Sequence, residues 1–234
     1  MCGRFYLVDG YIVIGNIFNA VTPDKIASYS KLLREHFFNA APTQILPIIR
    51  NLSSRRIEGA KWGLVSSFSK EGKSMFNTIN LRVESIEEKP YFLKLAKTNR
   101  CIIPVNGFYE WKKLGREKQA YAIHKEDKKV FGLAGLYDIW KDSQGNELLT
   151  FTIITTPPNE LMKPIHDRMP AILEESNYET WLDPNPLDLL DIVRILVPYY
   201  GKLIATPISS LVNSPENDSE AVLKPVAQFQ STLI

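Results

Sequence analysis

CIIPVNGFYEW, residues 101–111, decides what kind of sheet this chain builds. Its β-branched and aromatic residues, Ile102, Ile103, Val105, Phe108, Tyr109 and Trp111, suit a pleated, half-buried surface. Side chains alternate across a strand, so Tyr109 and Trp111 share one face while Glu110 turns to the other with Phe108. Three more β-rich runs follow at residues 119–124, 130–140 and 148–155. They are separated by charged or glycine-containing turns, KEDKK at 125–129 and DSQGNE at 142–147. Short connections of that kind join antiparallel neighbours, and the region reads as the heart of a mostly antiparallel sheet.

Working outward, residues 2–8, 44–50, 56–65 and 202–205 also read as strands. Thr22, Pro23 and Asp24 open an expected helix that runs to about Phe37, with Ile26, Tyr29, Leu32 and Leu33 on one face and Pro23 in the first turn. A second helix is expected over 83–97. It gathers Glu84, Glu87 and Glu88 near its N-terminal end, where the helix dipole favours acids, and Pro90 argues for a break inside it. Two more helices are expected near 174–182 and 186–196, and SSLVNSPENDSEA (209–221) reads as loop. No repeat, linker or shift of composition divides the chain, so the expected fold is a single α+β domain over residues 1–234.

The 234 residues are 44% hydrophobic and 11% aromatic, enough to bury a large core. With 28 Lys plus Arg against 26 Asp plus Glu, the formal net charge is +2, which identifies no partner; only local clustering of charge can do so. Cys2 and Cys101 are the only two cysteines, too few for a disulfide scaffold, and the N-terminus has no secretory pattern. No window approaches the roughly 18 apolar residues of a membrane span. A cytoplasmic protein without membrane contact is the expectation. The cysteines and three histidines lack the short paired spacing of zinc sites, and phosphate-loop, GxSxG and HExxH motifs are absent, so neither a metal nor a cofactor is expected.

Reactive residues nevertheless cluster in short stretches beside Gly, Pro or aromatic residues. In MCGRF (1–5), loss of Met1 would leave Cys2 with an α-amine and a thiol on neighbouring carbons. The amine titrates near 7.7–8.0 in model peptides. Such a 1,2-aminothiol attacks an aldehyde through nitrogen and closes through sulfur to a five-membered thiazolidine; the bland alternative is a small apolar residue in an edge strand. Glu110 lies between two aromatic residues, and it is either a carboxyl whose pKa burial raises into the range of proton transfer or a solvent-facing glutamate. His166, flanked by Asp167 and Arg168 and fenced by Pro164 and Pro170, suits proton transfer or simply bonds a loop carbonyl. Asn80 and Arg82 share a face of INLRVES (79–85). An amide and a guanidinium there suit a sugar hydroxyl and a phosphate, unless Arg82 only pairs with Glu84. Arg4 can add a phosphate contact, and Trp62, Phe68 and Trp111 can stack on bases, about one of the three being expected at the surface.

Taken in order, these stretches resemble the SRAP family, named from SOS response-associated peptidase. The resemblance rests on Met1–Phe5, on Phe38, Asn39, Ala41, Pro42 and Thr43, on Trp62, Gly63 and Leu64, and on Asn80, Arg82 and Glu84. Cys101–Trp111 and the group His166, Arg168, Met169 and Pro170, preceded by Thr155, complete it. It spans residues 1 to about 225 and implies an α+β fold on a mostly antiparallel, barrel-like sheet core with flanking helices. It also implies recognition of abasic sites in single-stranded DNA and a covalent thiazolidine crosslink through Cys2. Asn80 would position the open sugar, Glu110 would shuttle protons, and His166 would protonate the sugar oxygen. Arg4, Asn39, Pro42, Trp62, Phe68, Arg82, Trp111, Thr155 and Arg168 would line the DNA. AP-lyase activity and self-cleaving removal of Met1, by a chain acting as a monomer, follow from the same resemblance. VSSFS (65–69) departs from the family, leaving Phe68 as the weaker replacement for a stacking tryptophan. Two rival readings are a thiol peptidase acting on other proteins and a non-covalent single-strand binding module.

Overall fold

The computed structural model describes residues 2–22, 34–73 and 78–227. Twelve strands, in two sheets, are found among them. In chain order they are β1 (Phe5–Leu7), β2 (Phe37–Ala40), β3 (Ile45–Asn51), β4 (Arg55–Trp62), β5 (Asn80–Arg82) and β6 (Arg100–Val105). The remaining six are β7 (Gly107–Leu114), β8 (Glu117–Lys125), β9 (Phe131–Lys141), β10 (Glu147–Thr156), β11 (Met169–Pro170) and β12 (Leu203–Ile208).

One sheet has the order β12-β8-β7-β1-β2, and all its pairings are antiparallel. In the other, β10, β4, β3, β6 and β9 pair in succession and β9 pairs back to β10, so five strands close into a ring. Closure removes the free edges that would otherwise invite association. Strand β10 has neighbours on both sides along its length. Thr150 lies between Lys61 and Asp138, Ile153 between Asn80 and Gly135, and Thr155 between Arg82 and Pro170. Strands β5 and β11 therefore extend the ring at the C-terminal end of β10. The β10 pairings with β4 and β5 are parallel. The fold is α+β, with a barrel-like, mostly antiparallel core, as the sequence leads one to expect.

Residues 101–111 are not one strand. They split into β6, in the ring, and β7, in the other sheet, with Asn106 at the joint. The Asn106 side chain accepts from the Val8 and Asp9 N–H groups and donates to Asp9 and to the Lys128 carbonyl. At Gly107 the Ile123 carbonyl and the Tyr6 ring approach to 2.5 Å of where a Cβ would sit, so only glycine allows the crossing. Both sheets share one hydrophobic cluster: Phe5, Leu7 and Phe108 from the first pack with Leu46, Ile102 and Phe151 from the second.

Among the described residues five helices flank the sheets: α1 (Tyr11–Phe18), α2 (Glu84–Glu88), α3 (Pro90–Thr98), α4 (Tyr178–Trp181) and α5 (Leu189–Ile195). The break expected at Pro90 is present, with Lys89 extended (φ −124°, ψ 113°) and proline opening α3. The helix expected from Thr22 falls largely outside the described residues, and its expected last residue, Phe37, instead opens β2. The strand expected at 2–8 is confined to Phe5–Leu7, and that at 56–65 ends at Trp62, before Gly63 at φ +125°. The first part of the helix expected at 174–182 is a 3-10 turn, and two more such turns, Ser210–Asn213 and Glu220–Leu223, interrupt the expected loop. Among the described residues no helix is long and apolar enough to cross a membrane.

Candidate functional site

Register places the first two candidates. Strand β1 runs antiparallel to β7 with Phe5 opposite Phe108 and Tyr6 opposite Gly107, and the Tyr109 N–H donates to the Arg4 carbonyl at 3.0 Å. Continued outward, that register brings Glu110 abreast of Gly3, beside Cys2. Alternation along β7 does what the sequence leads one to expect. Tyr109 lies in a small second cluster, against which Trp111 packs, while Phe108 enters the main core and Glu110 is buried on that same inner face.

The other two candidates arrive from the far end of β10. There β5 presents Asn80, whose Nδ2 donates to the Cys2 carbonyl at 2.9 Å and so ties the N-terminal segment to the second sheet. The Asn80 Oδ1 is buried and takes no hydrogen bond. His166 lies in the loop leading into β11. Its Nδ1 is 3.1 Å from the Arg168 N–H and 2.8 Å from an Asp167 carboxylate oxygen. The amide needs a lone pair there and the carboxylate needs a proton, so Nδ1 serves one of them at a time.

The electrostatics link Cys2 to Glu110 and Glu110 to His166. The Cys2 side chain is fully buried; burial, and then the negative charge of Glu110, push its thiol pKa well above the ordinary range. Its S–H contacts the Arg4 carbonyl at 3.8 Å. Burial also raises the pKa of Glu110, against an opposing pull from His166. A carboxyl whose pKa burial raises, a histidine within electrostatic reach, and an amide fixed to the cysteine backbone are thus brought together beside Cys2. Among the described residues no group of three His, Cys, Asp or Glu side chains is placed to hold a metal ion.

The expected DNA-lining residues divide sharply. Phe68 is 63% exposed and meets the Tyr91 ring edge-on at 5.1 Å. Its loop is pinned by Asp138, which accepts from the Ser67 N–H, and by Trp140, whose Nε1 donates to the Ser69 carbonyl. Arg82 is exposed, and Pro42 and Trp111 are half-buried; the indole N–H of Trp111 donates to Asn213 at 2.7 Å.

Trp62 requires a correction. It is fully buried, stacked at 13° on Phe151 and tilted against Phe5, with its Nε1 bonded to the Ile79 carbonyl, so it offers no face to a base. Asn39 is also fully buried: its Nδ2 donates to the Val212, Ser214 and Asn217 carbonyls and its Oδ1 accepts from Arg4. Arg4 also donates to the Val212 and Asn213 carbonyls. Thr155 is buried and bonds the Leu81 carbonyl. The Arg168 guanidinium is buried in a two-pronged pair with Glu84, at 2.7 and 2.9 Å, and a bond to the Thr155 carbonyl at 2.6 Å. The partner of Glu84 is thus Arg168, where the sequence offered Arg82.

Asp218 is a site-supporting residue that sequence reasoning missed. Its carboxylate accepts from the Phe38 and Asn39 N–H groups and pairs with Arg34, so the loop at 209–221 fastens the FNAAPT segment. Only the density of Asn, Asp and Ser in that stretch hinted at such a role.

The family model described as SOS response associated peptidase (SRAP) matches residues 1–215. Abasic site processing protein YoqW of Bacillus subtilis (strain 168) is 41% identical over 227 residues, covering 96% of this chain and 99% of its own. Abasic site processing protein HMCES of Xenopus tropicalis is 31% identical over 214 residues, covering 78% of this chain and 64% of its own. A crystal structure of a protein from Bacteroides thetaiotaomicron matches with a TM-score of 0.84 at 32% identity, covering 96% of this chain and all of the other.

Proposed function

This chain belongs to the SRAP family, and from that premise we propose that it processes abasic sites in single-stranded DNA by forming a covalent bond through Cys2. The observation that carries the reading is the 2.9 Å bond from the Asn80 amide to the Cys2 carbonyl, with Glu110 and His166 electrostatically coupled around it.

The chemistry runs in two bond-forming steps once Met1 has left. The Cys2 α-amine adds to the aldehyde carbon of the ring-opened sugar, and loss of one water gives an imine. The thiol then adds to the imine carbon and its proton passes to nitrogen, closing a thiazolidine with no change of oxidation state. A thiol pushed toward its neutral form is a poor first nucleophile, which favours attack by the amine. Glu110, able to hold and release a proton, serves the dehydration. His166 protonates the sugar oxygen during ring opening, Asn80 positions the open sugar, and Arg82 holds a flanking phosphate. The same imine acidifies the neighbouring carbon, so loss of that proton with departure of the 3′ phosphate accounts for an AP-lyase activity. Removal of Met1 by self-cleavage consumes one water and uses Cys2, Glu110 and His166 again.

The test mixes N-terminally processed protein, verified by mass spectrometry, with single-stranded DNA carrying one abasic site. A protein–DNA band that survives denaturing electrophoresis is expected with the native sequence and not with Cys2→Ala or with a blocked α-amine. An equally stable band from Cys2→Ala would sink the mechanism.

A further inference from the structure

We infer that the outer half of the β7–β8 hairpin holds the phosphate backbone of the strand flanking the reacting sugar, an inference that rests on the DNA reading above. Pairing between β1 and β7 stops at the bond from Tyr109 to Arg4, yet β7 runs on to Leu114. Among the described residues, Glu110–Leu114 are therefore strand-paired to β8 alone. A ligand engaged at Cys2 and Glu110 thus has this edge running away from it, over about 13 Å from Glu110 to Leu114 at about 3.3 Å per residue.

The edge is strongly cationic. Residues 111–119 contain Lys112, Lys113, Arg116 and Lys118 against Glu117, four positive charges less one, or +3, whereas the whole chain carries +2. Lys113, Arg116 and Lys118 are exposed, and none of the four cations makes an ion pair with a described acid. Lys112 projects from the same face as Glu110, two residues farther out. On the opposite face Lys113 and Lys118 are direct cross-strand partners. Like charges placed opposite one another destabilise a hairpin; a bound anion relieves the repulsion. The four cations are spread along the hairpin, Lys112 on one face, Lys113 and Lys118 on the other, and Arg116 at its turn. That arrangement fits a repeating anion better than one phosphate.

The test uses the double variant Lys113→Ala/Lys118→Ala and an undamaged single-stranded oligonucleotide, with binding followed by fluorescence anisotropy from 50 to 200 mM salt. Losing two phosphate contacts should reduce the slope of log K against log salt by about 1.4, so the affinity advantage of the native chain shrinks about sevenfold across that range. Crosslink yield on abasic DNA at saturation should not change, and removing the flanking strand on the hairpin side should erase the difference in binding. Lys113→Glu, which creates an opposite-charge cross-strand pair, should melt no lower than the native chain and bind more weakly still. An unchanged slope in a native-like melting variant overturns the inference, as does loss of binding to an acidic peptide alone. A native chain that binds DNA without crosslinking overturns only the covalent reading; one that binds no single-stranded DNA overturns both.

Discussion

Replacing Arg168 by alanine separates two roles that the sequence alone leaves confounded. As a DNA contact, Arg168 would add to the salt dependence of binding and little to stability. In the structure its guanidinium is buried, with two prongs on Glu84 at 2.7 and 2.9 Å and a third bond to the Thr155 carbonyl at 2.6 Å. That carbonyl also accepts from the Val83 N–H, so one side chain joins β10, the β5–α2 junction and the loop carrying His166. Charge-assisted hydrogen bonds contribute about 1.5–3 kcal/mol each, but they are not additive. Breaking a fully buried pair costs about 3–5 kcal/mol. The Glu84 side chain is 48% exposed and rehydrates readily, which brings the expected loss for Arg168→Ala to about 2–3 kcal/mol. For a chain of this length that is a melting point lower by roughly 5–10 °C. Urea or thermal unfolding measures it, and anisotropy titrations across salt give the second readout. We expect an unchanged salt slope for Arg168→Ala, and for Arg82→Ala a slope lower by about 0.7 with stability within about 0.5 kcal/mol of native. The reasoning is refuted if Arg168→Ala melts within a degree of native while its salt slope falls by about 0.7.

Glu110→Gln should stabilise the protein and disable it. The folded-state pKa of Glu110 is raised by burial above the unfolded value near 4.3, so the native state binds the proton more tightly and stability declines as pH rises through that window. Glutamine removes the decline: the variant should gain in melting temperature at pH 8 relative to its gain at pH 4, while crosslinking slows about 10²- to 10⁴-fold. Equal gains at both pH values would mean that Glu110 does not titrate on unfolding. Trp62→Ala should cost about 3–5 kcal/mol as a core truncation. Trp62→Phe should cost less and leave DNA affinity within twofold, because the Ile79 carbonyl keeps a second donor in the Ile153 N–H; a loss of about 1–3 kcal/mol in binding by a stable Trp62→Phe would restore the stacking role.

What the sequence disclosed followed from local periodicity. The alternation around Glu110 put it on the face of Phe108, which packing makes the inner one, and Pro90 marked the break between α2 and α3. What it withheld depended on long-range partners. Trp62 and Phe68 look alike as aromatic residues near one glycine, and only the packing of Phe5 and Phe151 makes one core and the other surface. The two sheets split at Asn106–Gly107, a dipeptide that signals a turn, but an apolar run on both sides masked it. Helix α1 was missed because YIVIGNIF is apolar nearly all round and rich in β-branched residues, which erases the 3.6-residue signal.

The division of the site between the two sheets has a further consequence. Cys2 and Glu110 lie with the open sheet, Asn80 on a strand attached to the ring and His166 in the loop leading into β11, and the Asn80 amide bonds the Cys2 carbonyl between the two halves. The assembled site is therefore a property of docking, not of either half. A nascent or partly opened chain carries every reactive group and yet lacks the site. Loss of activity on gentle heating should consequently precede loss of β-sheet signal, which makes the chemistry a more sensitive gauge of native packing than spectroscopy of either sheet.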